Sequence, residues 1–163
     1  MSIVPDAPLT PAPKTVVKAT RRAMMPRIQE IVIPILREWP GLDGVYIGSW
    51  GNDIDYREFP YINVRRFSQV GAGRHRGFPL KLDEAVIEMT AYSDEGLIEC
   101  EHLYNIALEA LYQAVLYQKQ TGTGYLHSIR ETMGMSQLSS LYMDSWRVQG
   151  LIKLGLRPNT NLS

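Results

Sequence analysis

Apolar residues recur at intervals of three and four between residues 26 and 39, which predicts an amphipathic helix. The positions that share its apolar face are Ile28, Ile31, Val32, Ile35 and Leu36. Pro26 suits the first turn, where a missing N–H costs nothing, whereas Pro34 predicts a kink or a shortened helix. The Pro/Gly-containing stretch WPGLDG at 39–44 predicts where the helix stops.

Alternation of apolar and polar residues predicts strands over residues 44–50, 60–70 and 82–93. In the third strand one face is predicted to be apolar and the other to carry Glu84, Glu88 and Thr90, because successive side chains point to opposite faces. The apolar face comprises Ala85, Ile87, Met89 and Ala91. We expect the second and third strands to pair as an antiparallel hairpin with a long glycine-rich tip.

The strongest helical pattern follows, with Ser93 as its predicted cap and Gly122 as its predicted stop. Seven apolar residues form its stripe, which we interpret as core: Leu103, Ile106, Ala107, Ala110, Leu111, Ala114 and Val115. Residues 125–133 and 139–156 are predicted to form two last strands that pair with each other.

The resulting order, α–β–β–β–α–β–β, predicts an α/β fold of the α+β type. We expect a mainly antiparallel sheet of four to five strands with two helices packed on one face. Residues 26–158 form the predicted domain, preceded by a proline-rich, basic arm at 1–25 and followed by a short tail at 159–163.

The composition of the chain limits the classes of function that it can have. Lysine plus arginine and aspartate plus glutamate both total 17, so no net charge draws the chain to nucleic acid or to an anionic membrane. No apolar run approaches the roughly 20 residues that cross a bilayer. A single cysteine, Cys100, and three histidines without ligand spacing predict no metal or other cofactor. No nucleophile motif is present, so we expect no enzyme.

Two segments stand out as surfaces. The acidic stretch with Asp53, Asp55, Tyr56 and Glu58 runs into a strand bearing Arg65 and Arg66, and it reads either as a solvated loop or as an interface. A divalent-metal loop would need more ligands at fixed offsets.

The second segment, GRHRG, holds Arg74, His75 and Arg76 between glycines. It reads either as a solvated hairpin tip or as a loop that contacts phosphates or a partner.

Several strings together resemble the tail terminator proteins of long-tailed, non-contractile bacteriophages, especially phages of actinobacteria. They are ILREWPGLDGVYIGSW, GNDIDYREFP, YINVRRF, GAGRHRG and YMDSWRVQGLIKLGLRP, and the resemblance covers about residues 26–158. It implies a hexameric ring in the virion, at the head–tail junction, assembled in the bacterial cytoplasm. The ring would cap the tail tube, stop its polymerisation and dock the head connector.

Within such a ring, we expect the acidic loop and the two strand arginines to form a subunit seam. Arg74, His75 and Arg76 would face a partner or the lumen, where passing DNA would be contacted transiently and without sequence preference. Two alternatives stay open from the sequence: another head–tail joining or neck protein, and a small DNA-binding protein. Zero net charge disfavours the second.

Overall fold

The predicted α+β order is confirmed in the computed structural model, which describes residues 25–49, 58–71, 82–139 and 144–159. One 3-10 turn, Pro40–Leu42, follows the first helix. The helices and strands are α1 Ile28–Glu38, β1 Tyr46–Gly48, β2 Tyr61–Gly71, β3 Asp83–Ser93, α2 Leu97–Leu116, β4 Gly124–Leu138 and β5 Trp146–Pro158.

The five strands form one sheet in the order β1-β2-β3-β5-β4. The two predicted antiparallel pairs, β2 with β3 and β4 with β5, are both confirmed. β3 also pairs with β5 over its whole length, so it lies at the centre of the sheet. Only β1 runs parallel to its neighbour, β2, over three residues.

Both helices pack on the same face of the sheet. α1 contacts β1 and β2, and α2 contacts β3, β5 and β4. Strand residues on this face are buried in alternation, as β5 shows with Val148, Ile152 and Leu154. We call it the covered face. Burial of these side chains supplies the main stabilising free energy of the fold.

α1 runs through Pro34 without ending, so the helix is not shortened there. Its start is fastened to the sheet by Gln69 of β2. The Ile28 amide donates to Gln69 Oε1 (3.0 Å), and Gln69 Nε2 donates to the Pro26 carbonyl (2.8 Å) and to Asp83 Oδ2 (2.8 Å). These bonds satisfy a helix-end donor that lacks an intrahelical partner and a carboxylate that is fully buried.

The predicted ends of α2 were wrong. Ser93 is the last residue of β3, and its hydroxyl accepts a hydrogen bond from the Glu95 amide (3.1 Å); the helix cap is Gly96, at φ 138°. The helix stops at Leu116, before Gly122. Gln118 adopts φ 47°, so an ordinary residue makes the turn that the sequence assigned to a glycine.

The last two strands also differ from their predicted bounds. β4 extends to Leu138, and β5 begins only at Trp146. Residues 131–134 of β4 are exposed on both faces of the strand, so their sequence lacks the apolar alternation that predicts a strand. Pairing with β5 nevertheless continues there, with register shifts that mark bulges in an edge strand.

Candidate interaction surfaces

The second face of the sheet is not packed against any helix among the described residues. We call it the open face. Backbone pairing places these side chains on it: Arg65, Ser68 and Val70 of β2, Glu84, Val86 and Glu88 of β3, Leu151 and Lys153 of β5, and Ser128, Arg130 and Met133 of β4. Each is half-buried or exposed. Arginine and methionine, which both occur on this face, are enriched at protein interfaces.

The open face is basic. Arg147 and Arg157 of β5 also lie on it, since they alternate with the covered residues of that strand. Its cations are therefore Arg65, Arg130, Arg147, Lys153 and Arg157, against the two anions Glu84 and Glu88. Lys153 Nζ lies 3.4 Å from Glu84 Oε2, in an ion pair that solvent reaches. Gly155, which has no side chain, leaves a hollow of about 180 Å³ between these two residues and Arg130.

One end of this face is closed by aromatic rings. The Tyr61 and Tyr92 rings stack with centroids 4.1 Å apart, and Phe59 lies 5.6 Å from Tyr61. Both tyrosines are buried by this packing. The aromatic residues around β2 are therefore partly core, whereas Phe67, at the β2 bulge, has 64% of its surface exposed.

The other broad surface is the side of α2 that points away from the sheet. Six exposed residues at alternating spacings of four and three form one stripe, which we call the outer stripe: Ile98, His102, Asn105, Glu109, Tyr112 and Leu116. Ile98 and Leu116, at the two ends of the stripe, are 76% and 67% exposed.

α2 carries no lysine or arginine, although cations near a helix C-terminus are favourable. Its charged residues are Glu99, Glu101 and Glu109, and Asp94 and Glu95 precede it. An open groove of about 320 Å³ borders the stripe at Ile98 and His102 and is lined on its other side by Pro60. The outer stripe carries one of these carboxylates, Glu109, and Glu101 flanks it one turn before Asn105; the stripe lies on the other side of the protomer from the open face.

The predicted site residues are only partly within the described part of the chain. Asp53, Asp55, Tyr56, Arg74, His75 and Arg76 lie outside it. Glu58 is exposed just before β2. Arg65 and Arg66 are both exposed, but they point to opposite faces of the sheet because strand side chains alternate. Arg65 alone therefore belongs to the open face.

Cys100 has a structural role. Its thiol is buried and lies 3.2 Å from the Ala91 carbonyl oxygen and 3.4 Å from that of Trp146. Burial raises the pKa of the thiol to about 11, so it stays protonated at neutral pH.

Within the described residues, no group of three or more histidine, cysteine or acidic side chains is placed to hold a metal ion. No helix in those segments has the length and hydropathy of a membrane span.

Sequence patterns missed the two broad surfaces. Apolar residues at helical spacing identify the buried side of a helix, so this pattern did not indicate the outer stripe. A usable signal was present, since a twenty-residue helix without a single basic residue is itself unusual. The open face could not be found from one strand, because its basic residues come from β2, β4 and β5.

The fold and these surfaces define a class: an α+β protein with two helices on one face of a five-stranded sheet and a basic second face that no described helix covers. The chain belongs to the family of phage tail termination proteins, whose family model matches residues 24–163. It is 59% identical over 133 residues to the Gene 22 protein of Mycobacterium phage D29, covering 82% of this chain and 94% of that protein. It is 55% identical over 141 residues to the Gene 22 protein of Mycobacterium phage L5, covering 86% and 99%.

The resemblance to phage tail terminators is thereby confirmed. The family assigns the chain a structural role in the virion tail.

Proposed function

We propose that this chain forms a hexameric ring on the last ring of the tail tube, stops tube polymerisation and provides the surface on which the head connector docks. Assembly takes place in the cytoplasm of the bacterial host. The observation that carries this proposal is membership of the tail termination family over residues 24–163. The two unlike surfaces on opposite sides of the sheet support it, because a ring of copies requires two different contact surfaces on each subunit.

The mechanism is steric. A growing tube presents subunit surfaces to which the next tube subunit adds. A ring of a different protein that binds those surfaces covers them, so no further tube subunit can add. In the same way, an edge strand cannot pair with another chain when a different element covers it. No bond is made or broken. The tube stops at the length reached when the ring binds, and the outer side of the ring becomes the surface for the head.

The test is a polymerisation assay with purified tail tube protein. Tubes are grown with and without an equimolar amount of this chain, and their lengths and ends are measured by negative-stain microscopy. We expect tubes of unrestricted length without the chain, and short tubes with a six-fold density at one end with it.

Two controls make the assay decisive. Heat-denatured chain must leave the lengths unrestricted. Unchanged lengths with native chain, or a ring that binds the connector and not the tube, would contradict termination and point to another neck protein.

The acidic loop and the β2 arginines remain proposed seam residues. Asp53, Asp55, Tyr56 and Glu58 would meet Arg65 or Arg66 of the adjacent copy and set the register of the ring, since complementary charge favours specificity over affinity. Replacing Asp53 and Asp55 with lysine should weaken the ring. An unchanged molar mass by light scattering would argue against this role.

Arg74, His75 and Arg76 remain a proposed lumen or partner loop. Six copies would place 12 arginines around one axis, where DNA passes with electrostatic, sequence-independent contact. The variant Arg74→Ala/Arg76→Ala should slow assembly or lower infectivity. If both are unaffected, the loop has no such role.

A further inference from the structure

We infer that neighbouring copies in the ring meet by seating the outer stripe of α2 of one copy on the open face of the sheet of the next. This inference rests on the proposed ring and names its subunit contact. The occupant of the open face is thus a second copy of this chain, and three properties of the two surfaces support that choice: their lengths, their charges and their apolar content.

The lengths match. α2 has 20 residues and is about 30 Å long at 1.5 Å per residue. β2 and β3 have 11 residues each and are about 36 Å long at 3.3 Å per residue. Five strands about 4.8 Å apart give the sheet a width of about 20 Å, which accommodates one helix with its flanking side chains. The sheet face has an area of about 700 Å², of which one helix about 10 Å wide covers a little under half.

The charges are complementary. The open face carries five cations and two anions among the residues assigned to it, and α2 carries three glutamates and no cation. Two copies that met face to face through either surface would juxtapose like charges, which costs several kcal/mol. Contact between the unlike surfaces brings Glu109 of the stripe, and Glu101 at its flank, near cations such as Arg65 and Arg130.

Both surfaces also carry apolar side chains that could pack against each other. Ile98 and Leu116 project from the two ends of the outer stripe. The open face offers apolar partners in Val86, Leu151 and Met133, of which Met133 is 42% exposed. Apolar anchors of this kind supply most of the affinity of an interface, and the charges set its register.

The contact is head-to-tail. The outer stripe and the open face lie on opposite sides of the same protomer, so each copy uses one surface for each neighbour. Contacts of this type generate a closed ring when the rotation between copies closes. They leave the ends of the strands, at the edges of both surfaces, for the tube and the connector.

The experiment is a charge swap. The face variant is Arg65→Glu/Arg130→Glu, which makes the open face acidic. The helix variant is Glu101→Lys/Glu109→Lys, which makes α2 basic. The swap variant combines all four substitutions, so an acidic open face meets a basic α2 and the two surfaces still attract each other. The control is Glu38→Lys/Asp43→Lys, which makes the same charge change as the helix variant at exposed positions in the α1 region.

Each variant is supplied from a plasmid to phage that lack this gene, and infectious titre is measured. We expect the face variant and the helix variant each to lower the titre at least about 100-fold, because like charges now meet at every seam. The swap variant should return the titre to within about tenfold of the wild-type chain, and the control should stay there as well. Thermal unfolding of each purified variant shows that the protomer is folded.

Three results would overturn the inference: a face or helix variant that complements fully, a swap variant that fails although it folds, or a control that fails equally. A contact of the open face with the tube or with DNA would give the second of these, because reversal of α2 could not restore it. If the subunit contact is correct but the chain does not terminate the tail, the swap variant still restores the infectious titre, while tail length stays normal in particles that lack the chain.

Discussion

The two faces of the sheet differ in how deeply their side chains are buried. On the covered face, side chains such as Ile87 and Ile152 are fully buried under the helices. On the open face, their sequence neighbours Glu88 and Leu151 are half-buried and lie beside cations. The same strands therefore carry a fold-determining surface and the proposed assembly surface in alternate residues. We expect substitutions on the covered face to change the stability of the protomer and substitutions on the open face to change the association of protomers.

The largest expected difference is between two adjacent residues of β5. Ile152→Ala removes buried methyl groups and should lower the free energy of unfolding by about 2–5 kcal/mol. Leu151→Ala, on the open face, should lower it by about 1 kcal/mol or less and weaken ring formation instead. Urea unfolding of dilute protein measures the first effect and light scattering the second. Equal losses of stability would contradict the division between the faces.

Two glycines of β5 sharpen the comparison. A Cβ on Gly150 would lie within contact distance of the Tyr104 hydroxyl, which is fully buried and cannot move aside. A Cβ on Gly155 would meet Ser128 and His127, whose side chains can turn away on the open face. We expect Gly150→Ala to cost about 1–3 kcal/mol and Gly155→Ala less than half of that.

A double-mutant cycle checks the cause of the Gly150 effect. The Tyr104 hydroxyl has no hydrogen-bond partner among the described residues, so Tyr104→Phe alone should cost little or stabilise. Combined with Gly150→Ala, it should recover part of the loss. No recovery would mean that the backbone of β4, and not the hydroxyl, resists the added methyl group.

Gln69 provides a polar test of the covered face. Gln69→Ala removes three hydrogen bonds that join the start of α1 to Asp83. Because the carboxylate is fully buried, we expect a loss of about 1–3 kcal/mol in urea unfolding. The neighbouring Ser68→Ala, exposed on the open face, is the control and should stay within about 0.5 kcal/mol. If both substitutions have the same effect, Gln69 does not fasten α1.

The smallest expected effect is on pH dependence. Burial, and then the charge of Arg157, lower the pKa of His127 below its ordinary value. The unfolded chain therefore binds this proton more readily, and stability falls as the pH drops below about 6.5. His127→Gln should reduce the loss of stability between pH 7 and pH 5. His102→Gln is the matched control, and an equal reduction in both variants would contradict the assignment.

The fold could be predicted from the sequence where one face of an element is buried. The alternation in β3 and the stripe of α2 reflect contact with the core, so the order of the elements and the pairs β2–β3 and β4–β5 could be predicted. The pairing of β3 with β5 and of β1 with β2 was not predicted. The ends of α2 and the length of β4 could not be predicted. Gln118 makes a turn that glycine usually makes, and β4 is held by hydrogen bonds to β5 where its side chains are exposed.

The candidate interaction surfaces were harder to predict from the sequence than the fold. Adjacent arginines such as Arg65 and Arg66 suggest one basic patch, yet the pleat separates them. The open face gathers its charge from strands far apart in sequence, and only their register in the sheet brings Arg65, Lys153 and Arg130 to one side.

The most direct test is a reconstruction of the head–tail junction from assembled particles, at a resolution that shows helices. We predict a six-fold ring of this chain at the end of the tail tube, with α2 of each copy lying across the open face of the next. A junction in which that face is exposed to solvent, or one without this chain at the tube end, would contradict the account.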